Sequence, residues 1–141
     1  VDIMAGAKGT AAKSIGVSAD KWKADRKAAK PSTKETFVDA SGFDATVLLC
    51  LAAIHAKSVK STALVKSLRA VSGAQGGTNI PWTKMTDAVK AAAAGKKFTY
   101  QGAWTTAKFD AAGDSSGALF RVYSIGADGK LSSNDAEDVR F

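Results

Sequence analysis

The sequence contains one cysteine, one histidine and two prolines among its 141 residues. A single cysteine excludes an internal disulfide framework and any metal site built from several cysteines. A single histidine likewise excludes a multi-histidine metal cluster and leaves no second histidine for a proton relay. Two prolines and 13 glycines are too few for a collagen-like or low-complexity chain. The remaining composition, 45% hydrophobic, is that of one ordinary globular domain.

A long apolar run and an export segment are also missing. The most apolar run, residues 43–56, has 14 positions, which predicts that it is too short to cross a bilayer, since that takes about 20. The chain opens with Val1-Asp2-Ile3-Met4 and not with the charged and then apolar segment that directs export. We therefore expect either that processing removed a leader or that this sequence is part of a longer polypeptide.

The charge is strongly basic, with 20 Lys and Arg against 13 Asp and Glu, a net charge of +7. Such a balance raises the possibility of a nucleic-acid or anionic-surface partner. However, 16 of the cations are lysines, and arginine has the better geometry for recognising phosphates and bases. The lysines are also spread along the chain, and acids interrupt the one local concentration at residues 21–34. This pattern favours a solvated lysine-rich surface and predicts no nucleic-acid partner.

Four helices followed by strands are predicted from the periodicity and the end signals. The predicted helices are residues 19–30 after a Ser18 cap, 43–56, a segment capped by Ser61 or Thr62 that ends at Val71, and 82–94 with Gly95 as its stop. The predicted strands are residues 98–100, 104–109 and 118–125, with turns at 110–114 and 127–130. Trp22 stands alone among polar residues and alanines, so we expect it to dock its helix onto a neighbouring element.

The second predicted helix is apolar on nearly every face, which is typical of a helix buried on most sides. Cys50 lies inside it and is predicted to be a small buried hydrophobe, since a free cysteine packs like one. His55 lies in its last turn, where the partial negative charge of the helix end favours a structural or capping role over catalysis.

No arrangement of residues predicts catalysis or metal binding. Ser14, Ser41 and Thr46 have no histidine beside them, so a nucleophile activated by a base is not visible. The glycine-rich residues 72–77 follow a helix, whereas a phosphate loop follows a strand. Residues 110–114 lack the alternating acids of a calcium loop and predict a hairpin turn. We therefore expect no enzyme activity, no cofactor and no metal.

Three ordered stretches nevertheless carry a family resemblance. Residues 43–49 read Phe-Asp-Ala-Thr-Val-Leu-Leu, an aromatic-Asp-Ala helix start, and residues 68–77 form a helix with a glycine turn. Residues 94–103 and 109–114 contain Tyr-x-Gly followed by Phe-Asp-x-x-Gly-Asp. Together they resemble the C-terminal portion of ABC-transporter substrate-binding proteins of the branched-chain amino acid type, which have the type I periplasmic binding fold.

The resemblance implies an α/β fold in which two lobes face a ligand cleft. Residues 1–17 would leave the second lobe, residues 18–95 would supply helices of the first lobe, and residues 96–141 would form a β-meander of the second lobe and a tail. The sequence matches well under half of a typical family member. The resemblance therefore implies that the remainder of the same chain is a partner of these elements.

The resemblance also implies a function. The chain would be part of an extracytoplasmic receptor, periplasmic or lipid-anchored, that binds an amino acid or a similar small organic solute and delivers it to a membrane permease. Its candidate ligand-binding residues here are Asp39, Ser41 and Phe43, at the start of the long apolar helix. The alternative for these three is that Phe43 is core and the other two belong to a loop or cap. The alternative function is a basic stand-alone interaction module that binds an anionic partner.

Overall fold

The computed structural model describes residues 4–33, 36, 38–117 and 119–140. These residues form a mixture of helices and strands, so the predicted α/β class is confirmed at that coarse level. The described helices are α1 (Ala19–Ala29), α2 (Asp39–Ala56), α3 (Ser61–Val71) and α4 (Met85–Ala93). The described strands are β1 (Lys8–Lys13), β2 (Thr78–Pro81), β3 (Phe98–Gln101), β4 (Leu119–Ile125), β5 (Leu131–Ser133) and β6 (Val139–Arg140). Single 3-10 turns occupy Trp82–Lys84 and Asp135–Glu137.

The chain divides into two compact units, and the larger one spans Ser14–Ser116. In it α2 packs against α3 and α4, and β2 pairs in parallel with β3, with Thr78 opposite Phe98. The core of this unit is apolar and contains Leu48, Leu51, Ala52, Val71, Ala88, Ala92, Phe98 and Tyr100. Burial of these side chains is the main stabilising contribution to the unit.

The smaller unit joins Val1–Lys13 to Gly117–Phe141. Within it β1 runs antiparallel to β4, from Lys8 opposite Ser124 to Lys13 opposite Leu119. Strands β5 and β6 pair with β4 on its other edge. The Lys13 ammonium lies 2.6 Å from the Asp138 carboxylate, which ties β1 to the C-terminal segment.

The predicted β-meander is only partly correct. β3 and β4 are strands, but residues 104–109 are irregular, and β3 pairs with β2 instead of joining a meander. β2 was not predicted, because four residues that follow a glycine-rich turn and end at Pro81 are too few to display a period of two. The boundary between units lies at 116/117, whereas residue 96 was the expected start of the second lobe's meander. The assignment of segments to lobes stays a prediction.

The helices differ from expectation chiefly in α2, which begins at Asp39 and has 18 residues. By length and composition alone it is a candidate for crossing a membrane, with mean hydropathy 1.2, so the 14 positions counted in the sequence understate the length of the helix. This is weak evidence, because the core helix of a soluble protein passes the same test. The expected burial of α2 was also wrong, since only 28% of it is buried and Leu49 is 50% exposed.

The ends of the helices agree less well with the sequence predictions than their positions do. Ser18 precedes α1 in a left-handed conformation, and its side chain makes no capping hydrogen bond. Lys60, not Ser61 or Thr62, is the N-cap of α3. Gly95 ends α4 with φ +67°, as predicted for a residue that favours the left-handed region.

Candidate functional site

Asp44, on the second turn of α2, holds the loop that follows β3. One of its carboxylate oxygens accepts the Tyr100 hydroxyl at 3.2 Å and the backbone N–H of Ala103 at 2.8 Å. The other accepts the backbone N–H groups of Trp104 at 2.7 Å and Thr105 at 3.3 Å. Asp44 is only 5% exposed, so these bonds replace the water that an ionised carboxylate needs.

Glycines make this close approach possible. A Cβ atom on Gly102 would lie 2.1 Å from a carboxylate oxygen of Asp44, and one on Gly16 would lie 2.1 Å from the carbonyl oxygen of Ala103. The backbone N–H of Val17 donates to the Gly102 carbonyl at 3.0 Å. The segment before α1 is therefore fastened to the same loop that Asp44 holds.

Burial and hydrogen bonding shift the pKa of the Asp44 carboxyl in opposite directions. Burial raises the pKa of the Asp44 carboxyl, and the N–H groups of Trp104, Ala103 and Thr105 oppose that rise. Burial also raises the pKa of the Tyr100 hydroxyl, and the neighbouring Asp44 charge raises it further, so Tyr100 remains a hydrogen-bond donor.

Three aromatic rings meet beside this loop. Trp22 of α1 lies 4.8 Å from Phe43 and 5.9 Å from Trp82 between ring centroids, and Phe43 lies 5.9 Å from Trp82. The two contacts with Trp82 are edge-to-face, a preferred arrangement of aromatic pairs. The Trp82 indole N–H donates to the carbonyl of Val17 at 2.8 Å. The prediction that Trp22 docks its helix onto a neighbour is thus confirmed.

An ion pair is the second attachment of α1. Two nitrogens of the Arg26 guanidinium, Nε and one terminal nitrogen, lie 2.8 Å from the same oxygen of Asp39, and the other terminal nitrogen donates to the Thr33 carbonyl at 2.6 Å. The hydroxyl and backbone N–H of Thr36 hold the pKa of Asp39 below its usual range, burial opposes this, and Arg26 lowers it further. Asp39 therefore stays ionised and fixes the N-terminus of α2 to α1.

Two cavities of the larger unit share the Trp22 side chain as a wall. The larger, of about 600 Å³, is lined by aromatic and charged residues, namely Trp22, Asp25, Arg26, Ala29, Lys30, Thr33, Asp39, Phe43 and Trp82. The smaller, of about 300 Å³, includes Ser14, Lys23, Thr36, Ala103 and Trp104 in its wall. Sites for small molecules are about 300–1,000 Å³, so both volumes are adequate. We call the larger cavity the aromatic cleft.

The sequence-derived site residues are only partly brought together. Asp39 and Phe43 both line the aromatic cleft. Ser41 lies outside that lining, and its hydroxyl donates to the Val38 carbonyl at 3.0 Å within the first turn of α2. Trp82 and Arg26 were not predicted to be neighbours of these residues. Local patterns carry no signal for these contacts, because Trp82 is 39 positions from Phe43 and Arg26 is 13 from Asp39.

The single cysteine and the single histidine lie elsewhere in the larger unit. Cys50 is exposed, so the prediction of a buried hydrophobe is wrong. Helix α2 buries Leu48, Leu51 and Ala52 against its neighbours, and Cys50 falls outside that arc. The Nδ1 atom of His55 lies 3.0 Å from the Ser67 hydroxyl of α3, so His55 contributes to packing between two helices.

The acidic segment at residues 110–114 forms a turn. One carboxylate oxygen of Asp110 accepts the backbone N–H groups of Gly113 and Asp114, each at 2.9 Å, which confirms the turn predicted at residues 110–114. The described part of the chain contains no group of three or more His, Cys, Asp or Glu side chains placed to hold a metal ion.

Comparison with known proteins adds nothing to this geometry. No protein-family model, no curated protein and no solved structure matches the chain.

Proposed function

We propose that the chain is the C-terminal portion of a solute-binding receptor of an ABC importer, of the type that it resembles in sequence. It binds an amino acid or a similar small organic solute and presents it to a membrane permease on the outer side of the membrane. The aromatic cleft is the part of this chain that contacts the solute.

One observation carries the proposal. The aromatic cleft has a volume of about 600 Å³, and its wall includes Asp39 and Phe43. These are two of the three residues that the resemblance assigns to ligand binding. A cleft of this volume with aromatic walls and a few polar groups has the usual composition of a small-molecule site.

Two further contacts are consistent with the proposal. The aromatic-Asp-Ala helix start and the Tyr-x-Gly turn, quoted above from separate parts of the sequence, meet where Asp44 accepts the Tyr100 hydroxyl and where Gly102 leaves room for the carboxylate. The apolar helix α2 also leaves Leu49 and Cys50 exposed. An uncovered apolar face is expected of an element that packs against the remainder of a larger chain.

Calorimetric titration with branched-chain, aromatic and amide-bearing solutes tests the proposal. We expect at least one solute to bind and Phe43→Leu to weaken that binding by about tenfold, because the substitution removes a ring from the cleft wall. Leu49→Ala is the matched control, since Leu49 lies on the same helix and is half exposed. Absence of heat across the whole panel, or equal losses in both variants, contradicts the proposal.

The exposure of α1 favours the second function, a basic interaction module. No residue of α1 is buried, and Lys23, Lys27 and Lys30 are all exposed. Binding to an anionic vesicle or a nucleic acid should then weaken steeply as salt rises, since such association releases counterions. An affinity that is indifferent to ionic strength contradicts this function.

A further inference from the structure

Helix α1 and the residues that follow it supply most of the wall of the aromatic cleft. The residues that they contribute are Trp22, Asp25, Arg26, Ala29, Lys30 and Thr33. The rest of the wall is Asp39 and Phe43 of α2 and Trp82, which precedes α4. Helix α1 also supplies part of the wall of the smaller cavity. Both cavities therefore have this form only while α1 is docked.

This wall is weakly attached for its length. None of the residues of α1 is buried, and within the described ranges no backbone hydrogen bond joins α1 to another helix or strand. Its attachments are the ring contacts of Trp22, at 4.8 Å from Phe43, and the ion pair between Arg26 and Asp39. Segments with few buried contacts open locally at a lower free energy than the core does.

The two ends of α1 have the backbone of a hinge. The chain is held up to Val17, whose backbone N–H donates to the Gly102 carbonyl at 3.0 Å. Ser18 follows with φ 57° and ψ 43°, the left-handed region that is unfavourable for a residue with a side chain. At the other end Lys30 leaves the helical region with φ −142°, and Pro31 follows it. Rotation at these ends would release α1 as a unit and relieve the strain at Ser18.

Resting on the proposed function, we infer that α1 is a movable wall of the aromatic cleft. It undocks as a unit while the remainder of the larger unit stays folded, and it docks around a bound solute through Trp22 and Arg26. The solute needs the docked form, because the undocked form lacks most of the cleft wall. Binding and docking therefore favour each other, since a ligand shifts an equilibrium toward the state that it binds better.

Hydrogen exchange of the full chain without solute tests the movement. We expect the amides of α1 to open together and to be at least tenfold less protected than the slowest amides of α2. Ala24→Gly should accelerate exchange across α1 by about fivefold, because glycine is a poor helix former, and leave α2 unchanged. Ala24 is exposed and lines neither cavity, so this variant changes the helix and not the cleft.

Ala45→Gly is the matched control, since it makes the same substitution at an exposed position of α2. It should leave the exchange of α1 unchanged. Protection of α1 equal to that of α2, or equal acceleration of both helices by Ala24→Gly, overturns the inference.

A second exchange measurement couples the movement to binding. Its probes are leucine, phenylalanine and glutamine, one from each class of solute in the calorimetric panel, and each that binds is added at ten times its measured Kd. A solute that binds only the docked form should slow the exchange of α1 by about tenfold. A bound solute that leaves α1 exchange unchanged overturns the inference, although the receptor function remains. If no solute of the panel binds, the proposed function fails and the coupling with it, whereas the measurement without solute still decides whether α1 moves.

Discussion

Helices α1 and α2 have opposite compositions, and each is attached in part by a residue unlike its neighbours. Helix α1 is polar and has no buried residue, and its attachments are the Trp22 ring and the Arg26 ion pair. Helix α2 is apolar, yet it is fixed to the loop after β3 by the buried carboxylate of Asp44. The average polarity of a helix therefore does not identify the contacts that position it.

The two attachments differ in burial, and this difference sets their expected strengths. Asp44 is 5% exposed and accepts from three backbone N–H groups and the buried Tyr100 hydroxyl. The Arg26 and Asp39 side chains are 14% and 26% exposed, and solvent screens their attraction. Removing the Asp44 carboxylate should therefore destabilise the larger unit as a whole, whereas removing the Arg26 guanidinium should release α1 alone.

The largest effect is expected for Asp44→Ala. It leaves the Tyr100 hydroxyl and three backbone N–H groups without their acceptor, and each buried donor left unsatisfied costs about 1–3 kcal/mol. Urea unfolding monitored by tryptophan fluorescence measures the change. Asp87→Ala is the control, because Asp87 is an exposed carboxylate in the first turn of α4 and should contribute less than about 1 kcal/mol. Similar losses in the two variants would show that Asp44 has no special role.

Substitution of two glycines near the same contact should give changes of opposite sign. Gly102→Ala places a Cβ atom 2.1 Å from the Asp44 carboxylate, and such overpacking costs about 1–3 kcal/mol. Gly42→Ala, in the exposed first turns of α2, meets no atom within 4 Å and should stabilise the protein by about 0.5–1 kcal/mol. Chemical unfolding of both variants under one condition gives the comparison. Stabilisation by Gly102→Ala would contradict the close approach described for the loop.

These contacts show what the sequence predicts and what it does not. The order of the helices, the docking role of Trp22 and the helix stop at Gly95 follow from local residue types, so they were predictable. The Asp44 bonds join residues 56–61 positions apart, and the parallel partner of β3 is a strand of four residues. Neither feature leaves a periodic signal in the sequence. A buried aspartate is the same residue type as an exposed one, and a strand of four residues is too short to display a period of two.

A smaller and local effect is expected for Arg26→Gln. Loss of the bonds to Asp39 and to the Thr33 carbonyl should lower the free energy of local opening of α1 by about 1 kcal/mol. Hydrogen exchange should therefore accelerate at the amides of α1 and remain unchanged in α2 and α3. Lys27→Gln, one position away and exposed, is the control. Equal acceleration across all of these helices would mean that the ion pair supports the whole unit.

Acid should reduce the difference between this variant and the wild-type protein, because only the bonds to Asp39 depend on pH. The pKa of Asp39 is held below its usual range in the folded protein, first by Thr36. A lowered pKa contributes stability above the unfolded value, about 4, and that stability is lost as pH falls through the folded pKa. After correction for intrinsic exchange rates, α1 of the wild-type protein should approach the Arg26→Gln variant in acid. A difference independent of pH would exclude Asp39 as the partner that matters.

The smallest effect concerns the exposed side of α2. Because Cys50 is exposed, its thiol should react with an aromatic disulfide reagent at nearly the rate seen for the protein unfolded in urea. For the same reason, Cys50→Ser should change the free energy of unfolding by less than about 0.5 kcal/mol. Ala52→Ser is the matched control, since Ala52 is fully buried two positions away and a hydroxyl there costs about 1–3 kcal/mol. Protection of Cys50 from the reagent would mean that α2 is covered on this side in solution. A faster reaction at decreasing protein concentration would then identify a second copy of the chain as the cover.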